Sequence, residues 1–344
     1  MKIAILHGPR DLRIEEQPLI TSHLQPDEIW VKTRISALKI GTDRGNYEGA
    51  EQVPGAPDYP RWVGDSNLGI VQAVGSAVRR VKVGDRIVTR QPHQSEYITN
   101  ESASLVKVPD GVADEDAVWA HLYALSAHCY HKAHFKAGEN VAVVGLGVLG
   151  LGAVAIAPLF GGRVVAIGNS PLRLEMARQM GAHQALLFDD PDLQAKLNQF
   201  TDGQGIDLVV LTANPWPAYR AAVEMVRPNG RLSIVSLLGR GEEALDFNPL
   251  SMQYFYIKGI SLIAVSGPAG YLYPNASSDP LLTADHYTAD RNAAHVLSLM
   301  ADGRLEPKRL ITHRFHYSEM AKAYEMAYAR EKSMLGVIFT WQES

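Results

Sequence analysis

The sequence predicts an α/β protein in which a doubly wound parallel sheet is joined to a second, β-rich domain. Three observations predict it: strand and helix patterns alternate after about residue 122, a glycine turn heads that run, and a strand-dense stretch precedes it. At 344 residues the chain is too long for one ordinary core, so two domains are expected. The changes in texture divide it into 1–121 with 266–344, and 122–265.

The first part reads as short strands between turns. EIWVKTRISAL and LGIVQAVGSAV alternate apolar and polar residues, and VGDRIVTR follows a Gly-Asp turn. A twisted antiparallel sheet or partial barrel follows from that pattern. From ENVAVVGLGVLG onward the period changes. GRVVAIG, HQALLF, IDLVVLTA and RLSIVSLLG read as strands, separated by helices in LGAVAIAPLF, PLRLEMARQMGA, PDLQAKLNQF and PAYRAAVEMVRPNG. Pro158 falls late in the first of these helices and should end or kink it. YFYIKGISLIAVSG reads as the closing strand or strands. The Gly-, Pro- and Ser-rich segment 267–290 reads as a long loop of the kind that lines a site. The last stretch, with helices in RNAAHVLSLMADG and SEMAKAYEMAYA and strands in RLITHRF and LGVIFTW, is expected to complete the first domain.

Composition narrows the function. A net charge of -4 leaves no basic stripe to neutralise phosphates, which argues against nucleic acid as a partner. The single cysteine, Cys129, forms no internal disulfide and no metal cluster, and is expected to be buried and inert. No apolar run of about 20 residues is present to span a membrane. The opening MKIAILHGPRDLRIEE turns polar too early for a signal peptide, so a cytoplasmic protein is expected.

Gly145, Gly147 and Gly150, with Val148 and Leu149 between the last two, fit G-x-G-x-x-G between an apolar strand and a helix. In that context the first glycine makes the turn, the second admits a pyrophosphate, and the third packs helix on strand. The helix N-terminal amides bind the phosphates. The next strand ends in Gly168-Asn169-Ser170 rather than the Asp or Glu that accepts from an NAD ribose. Gly168 removes a carboxylate that would repel a 2′-phosphate, Asn169 and Ser170 supply donors, and Arg173 supplies charge. NADP(H) is therefore expected as the cofactor.

The order of parts resembles the medium-chain dehydrogenases and reductases, the alcohol and sorbitol dehydrogenase superfamily. The resemblance runs nearly end to end through Gly41-Thr42-Asp43, Gly64 with LGIVQAVGSAVRRVKVGDRIV, SEYI before ESASLVKVPDGV, GLGVLG and LITHRF. It implies a Rossmann domain plus a GroES-like catalytic domain. It also implies a catalytic zinc, whose ligand places fall on Ile40, Asp65 and His121. Ile40 is no ligand, Ser66 replaces the neighbouring glutamate, and the four-cysteine lobe is missing, so no stoichiometric zinc is expected. Weak binding by Asp65, His121 and a further residue such as His93 is the alternative.

Without a metal, something else must handle the substrate oxygen. Asp65 and His121 are expected to form an acid/base pair, the carboxylate keeping the imidazole protonated near neutrality so that it can donate to a carbonyl. Both could equally be satisfied structural residues. Thr42 matches the family's hydroxyl beside the reacting oxygen. Tyr47, Tyr59 and Trp62 lie where relatives line the substrate mouth and are candidates to stack on a ring-bearing substrate, or to pack their own loop. The expected reaction is interconversion of a ketone and a secondary alcohol on a small, cyclic or sugar-like molecule. The alternatives are NADPH-dependent alkene reduction, which needs no Lewis acid, and a cofactor-binding protein without turnover. YFYIKGISLIAVS offers an edge strand for a homodimer or homotetramer, as in relatives.

Overall fold

The computed structural model describes residues 1–49, 58–239, 245, 247–265 and 288–342. The chain divides into two compact units, Met1–Ala124 with Thr288–Ser344, and Leu125–Tyr287. The loop expected over 267–290 lies almost wholly outside the described residues.

The first unit opens with strands β1 (Lys2–Leu6), β2 (Leu12–Glu16) and β3 (Glu28–Leu38), followed by helix α1 (Ile40–Tyr47). Strands β4 (Arg61–Trp62), β5 (Asn67–Val74), β6 (Arg86–Thr89), β7 (Glu96–Asn100) and β8 (Leu105–Lys107) come next, then helix α2 (Asp114–Ala117) and the start of helix α3 (Ala120–Lys132), most of which belongs to the second unit. The second unit holds strands β9 (Asn140–Val144), β10 (Arg163–Gly168), β11 (Gln184–Leu187), β12 (Ile206–Leu211), β13 (Val226–Ile234) and β14 (Ser261–Ala264). Helices α4 (Val148–Leu159), α5 (Pro171–Gln179), α6 (Leu193–Phe200) and α7 (Trp216–Met225) connect them. The return brings helix α8 (Ala289–Ala301), strand β15 (Ile311–His316), helix α9 (Met320–Tyr328) and strand β16 (Gly336–Thr340).

In the second unit the six strands run parallel in the order β11-β10-β9-β12-β13-β14. This is the doubly wound arrangement, with its switch point between β9 and β12. Ala142, Val144, Val165, Ile167, Val209, Leu211, Leu197, Phe200 and Tyr219 share one buried cluster, as strands covered on both faces require. Pro158 is the penultimate residue of α4, which ends there as expected.

The first unit contains a seven-stranded sheet whose main path is β15-β16-β3-β5-β6-β8, with β7 paired to β3, and a small sheet ordered β2-β1-β4. Apart from the parallel pair β15 and β16, its strands are antiparallel. The return segment thus completes this sheet. Leu38, Tyr47, Val63, Tyr324, Val337 and Phe339 form a shared core under α1 and α9. No helix among the described residues is long and apolar enough to cross a membrane.

Candidate active site

The glycine turn joins β9 to α4 at the switch point. Gly145 has φ +97°, and a side chain on it would meet Thr212 and Ala213, which continue β12. Thr212 Oγ donates to the Gly145 carbonyl at 2.8 Å and fastens the turn to β12. A Cβ on Gly150 would lie 1.9 Å from the Gly145 carbonyl oxygen, so helix and turn close only over a bare α-carbon. Gly147, the residue before α4, differs. A Cβ there would find only Arg173 Nη1, at 3.9 Å, which leaves an open face at the helix N-terminus. The first amides of a helix have no intrahelical acceptor, so Val148 and Leu149 present N–H groups where an anion is favoured. These residues fit the pyrophosphate of a dinucleotide.

At the end of β10, Gly168 has a packing reason of its own, because a Cβ would strike Leu146 Cδ1 at 2.7 Å. Asn169 is exposed and Ser170 half-buried before α5. Arg173 turns back toward the glycine turn, its Nη1 donating to the Leu146 carbonyl at 3.1 Å. Burial lowers its pKa without removing the charge from a guanidinium. A cation and two polar side chains therefore accompany a strand end that carries no carboxylate.

The other candidate residues lie in the first unit. Asp43, in the first turn of α1, is buried and works as a staple. Its Oδ2 accepts from the Lys39 backbone N–H at 2.7 Å, and its carboxylate also accepts from the Gly64 backbone. Burial, reinforced by the Asp65 charge, pushes its pKa up to about 7. The staple brings the 39–43 turn against the 64–66 segment and so places Lys39 opposite Asp65. Gly64 has φ +85°, and a Cβ there would lie 2.5 Å from the His93 ring, so this turn also requires glycine.

Asp65 is not paired as the sequence suggested. Lys39 Nζ lies 2.6 Å from its Oδ1, and Arg90 Nη2 donates to its Oδ2 at 3.0 Å. Burial would raise the Asp65 pKa, but these two cations outweigh it and hold the carboxyl well below the usual range. Asp65 is a fixed anion, not a proton carrier. His121, at the start of α3, hydrogen-bonds the Val88 carbonyl through one ring nitrogen, and its Nε2 has no partner among the described residues. Burial first, then the nearby Arg90 and Lys39 charges, push its pKa down to about 4. The expected imidazolium donor is therefore corrected. Near neutrality His121 is neutral, with a buried acceptor at Nε2.

A catalytic zinc does not fit these residues. Ile40 offers no donor, both oxygens of Asp65 already face cations, and no third ligand joins Asp65 and His121 among the described residues. No group of three or more His, Cys, Asp or Glu side chains among the described residues could hold a metal ion. His93 is fully buried, its Nδ1 2.8 Å from Ser36 Oγ, which also accepts from the Trp341 indole. Burial pushes it down to about 3.

Thr42 is exposed in the first turn of α1, three residues after Lys39. The three aromatic candidates separate. Tyr47 is 2% exposed, packs against Tyr324 and donates to Glu325 at 2.6 Å, so it belongs to the core and not to a substrate surface. Arg61 lies 4.2 Å over the Tyr59 ring and also donates to its hydroxyl, which leaves that face covered. Trp62 is 49% exposed on β4. Cys129 is buried, and burial pushes its thiol up to about 12, as an inert cysteine should be. Lys39 and Arg90 escaped notice in the sequence. One directly precedes the Ile40 ligand place and the other ends VGDRIVTR, but only the fold turns both toward Asp65.

Two family descriptions match the chain: "Alcohol dehydrogenase GroES-like domain" over residues 25–134 and "Zinc-binding dehydrogenase" over residues 148–273. A sorbitol dehydrogenase of Bacillus subtilis strain 168 is 24% identical, covering 98% of this chain and 96% of its own length. An NADP-dependent isopropanol dehydrogenase of Entamoeba histolytica is 26% identical over 74% of this chain and 73% of its own. The crystal structure of galactitol-1-phosphate dehydrogenase from Escherichia coli superposes with a TM-score of 0.80. It is 21% identical, with 99% of this chain and 100% of that one covered.

Proposed function

The chain belongs to the medium-chain dehydrogenase/reductase superfamily, and from that premise we propose a zinc-independent, NADP(H)-dependent oxidoreductase that interconverts a ketone and a secondary alcohol. A small, cyclic or sugar-like substrate is favoured by the names of the relatives, which include sorbitol and isopropanol dehydrogenases. The observation that carries the metal-free reading is Asp65, which stands at a ligand place with both oxygens already engaged by Lys39 and Arg90. Preference for the phosphorylated cofactor rests on Arg173 beside the glycine turn and on a β10 end without a carboxylate.

The bound nicotinamide would supply or accept the hydride. The Val148 and Leu149 amides hold the pyrophosphate, and Asn169, Ser170 and Arg173 hold the 2′-phosphate. Thr42 orients the substrate oxygen. His121 Nε2, a neutral acceptor, takes the hydrogen bond of the alcohol O–H. Trp62 remains the exposed aromatic surface for a ring. For assembly we propose a homodimer or homotetramer formed through β14, the last strand of the parallel sheet.

Catalytic efficiency with NADPH and with NADH, measured in EDTA against simple ketones, polyols and enones, tests this reading. Reduction of a ketone with NADPH preferred at least about tenfold is expected. NADH preference would overturn the cofactor assignment, turnover of enones alone would replace the reaction, and loss of activity in EDTA would end the metal-free account.

A further inference from the structure

We propose that Lys39 is a catalytic residue whose ammonium group binds the substrate oxygen and supplies its proton in place of a metal ion. The inference rests on the ketone/alcohol reading above and names the group that reading lacks, since Asp65 and His121 do not donate.

The geometry begins with the number of donors. An ammonium group has three N–H bonds. One goes to Asp65 Oδ1 at 2.6 Å, and no other acceptor for Lys39 Nζ is found among the described residues. The side chain is only 10% exposed, so its ammonium group is largely shielded from bulk water. An N–H donor in such a place interacts strongly with a developing alkoxide.

The charges point the same way. Asp65 has a separate cation on each oxygen, Lys39 on Oδ1 and Arg90 on Oδ2. One cation would suffice to neutralise a structural carboxylate. With two, the Lys39–Asp65–Arg90 group carries a net charge of about +1 where relatives keep a metal cation. Arg90 also keeps the buried carboxylate compensated if Lys39 turns away or gives up a proton, which spares the large cost of an unpaired buried anion. The other groups facing this cluster are Asp43, His93, His121 and Tyr324. Neutral His121 adds an acceptor within the field of Lys39 and Arg90.

The step balances. A bound reduced nicotinamide would supply the hydride to the carbonyl carbon; as the C=O π pair moves to oxygen, the oxygen takes a proton from Lys39 Nζ. That would leave the alcohol, a cofactor oxidised by two electrons and a neutral Lys39 amine, which regains a proton from water. In the oxidative direction the same atoms move in reverse.

The test compares the native protein with Lys39→Met, Lys39→Arg and the double variant Lys39→Met/Asp65→Asn. The readouts are single-turnover reduction of the best ketone, NADPH affinity by fluorescence, and thermal midpoint. Lys39→Met should slow the hydride step by about 10²- to 10³-fold, the usual loss when one oxyanion donor is removed, with NADPH affinity unchanged. Lys39→Arg keeps the Asp65 ion pair and so the fold, and should retain part of the rate because it keeps a cationic donor. The double variant separates the roles. It removes the carboxylate that a merely structural lysine would neutralise, so the rate should stay as low as in Lys39→Met whatever the midpoint does. Recovery of the native rate in the double variant, or an unchanged rate in Lys39→Met, would overturn the proposal. A native protein that reduces no ketone would overturn it too, and that failure appears before any variant is made.

Discussion

Arg173 shows how much a single side chain is asked to do. Its guanidinium turns back to the Leu146 carbonyl, and a Cβ on Gly147 would find it at 3.9 Å, so it lies over the same turn proposed to receive the cofactor phosphates. Arg173→Ala should therefore raise the KM for NADPH by about tenfold or more while leaving the KM for NADH nearly unchanged, as loss of one charge-assisted phosphate contact predicts. Equal losses with both cofactors would assign Arg173 to the turn alone. Buried histidines make a second prediction at this scale. His121 and His93 are pushed down to about 4 and about 3, below the 6.5 of an unperturbed imidazole. In the window between those values the unfolded chain binds protons that the folded chain refuses, so stability is full above about pH 6.5 and falls as pH drops toward 4. Each histidine can contribute on the order of 3 kcal/mol to that loss. Urea midpoints of the native protein and of His93→Gln, compared from pH 7 to pH 4.5, should show a shallower acid slope in the variant. Parallel slopes would show that His93 does not titrate in this window.

At the scale of elements, the β9–α4 turn sets two glycines of one motif against each other. Gly150 faces the Gly145 carbonyl at a distance no Cβ tolerates, whereas Gly147 has φ outside the left-handed region and open space beside it. Gly150→Ala should force α4 off β9, lower the thermal midpoint by several degrees and abolish cofactor binding together. Gly147→Ala should leave the midpoint unchanged and weaken NADPH binding by about tenfold or more, because the added methyl occupies only the approach of the pyrophosphate. Loss of stability in Gly147→Ala would show that the open face is part of the packing. The motif was legible because its spacing, preceding strand and following helix were all local in sequence. The ion cluster was not. Lys39 and Asp65 are joined by the Asp43 staple to the Gly64 backbone, and Arg90 arrives from the end of β6, so three separate segments build it. Sequence showed that Ile40 could not bind metal, but it could not show which cations had taken up the carboxylate. It also left Tyr47 open between a substrate and packing, because burial under α9 depends on the return of residues 320–328 to the first unit.

For the whole molecule, the doubly wound sheet and the β-rich unit were both readable, since each depends on periodicities that repeat many times along the chain. The return of the last stretch to the first domain was expected from its strand and helix patterns, but no local pattern dictates that β16 pairs β3, a partner so distant in sequence. The proposed assembly rests on what the parallel sheet leaves unpaired among the described residues. Strand β14 bonds β13 on one side and is the terminal strand among the described residues, so its outer N–H and C=O groups have no described strand partner. Just before it, Leu250, Met252, Tyr256 and Ile257 are 57%, 67%, 78% and 69% exposed. A long-lived monomer would normally blunt such an edge with charge, proline or a covering element. Exposed apolar residues shortly before a strand edge that pairs with no described strand instead favour pairing with a second copy. The native protein should therefore sediment as a dimer or tetramer. Ile263→Lys, which sets a charge in the middle of β14, should shift it toward monomer while the circular dichroism and NADPH affinity stay native. A native monomer would remove this assembly. An oligomer unaffected by Ile263→Lys would move the interface to another surface.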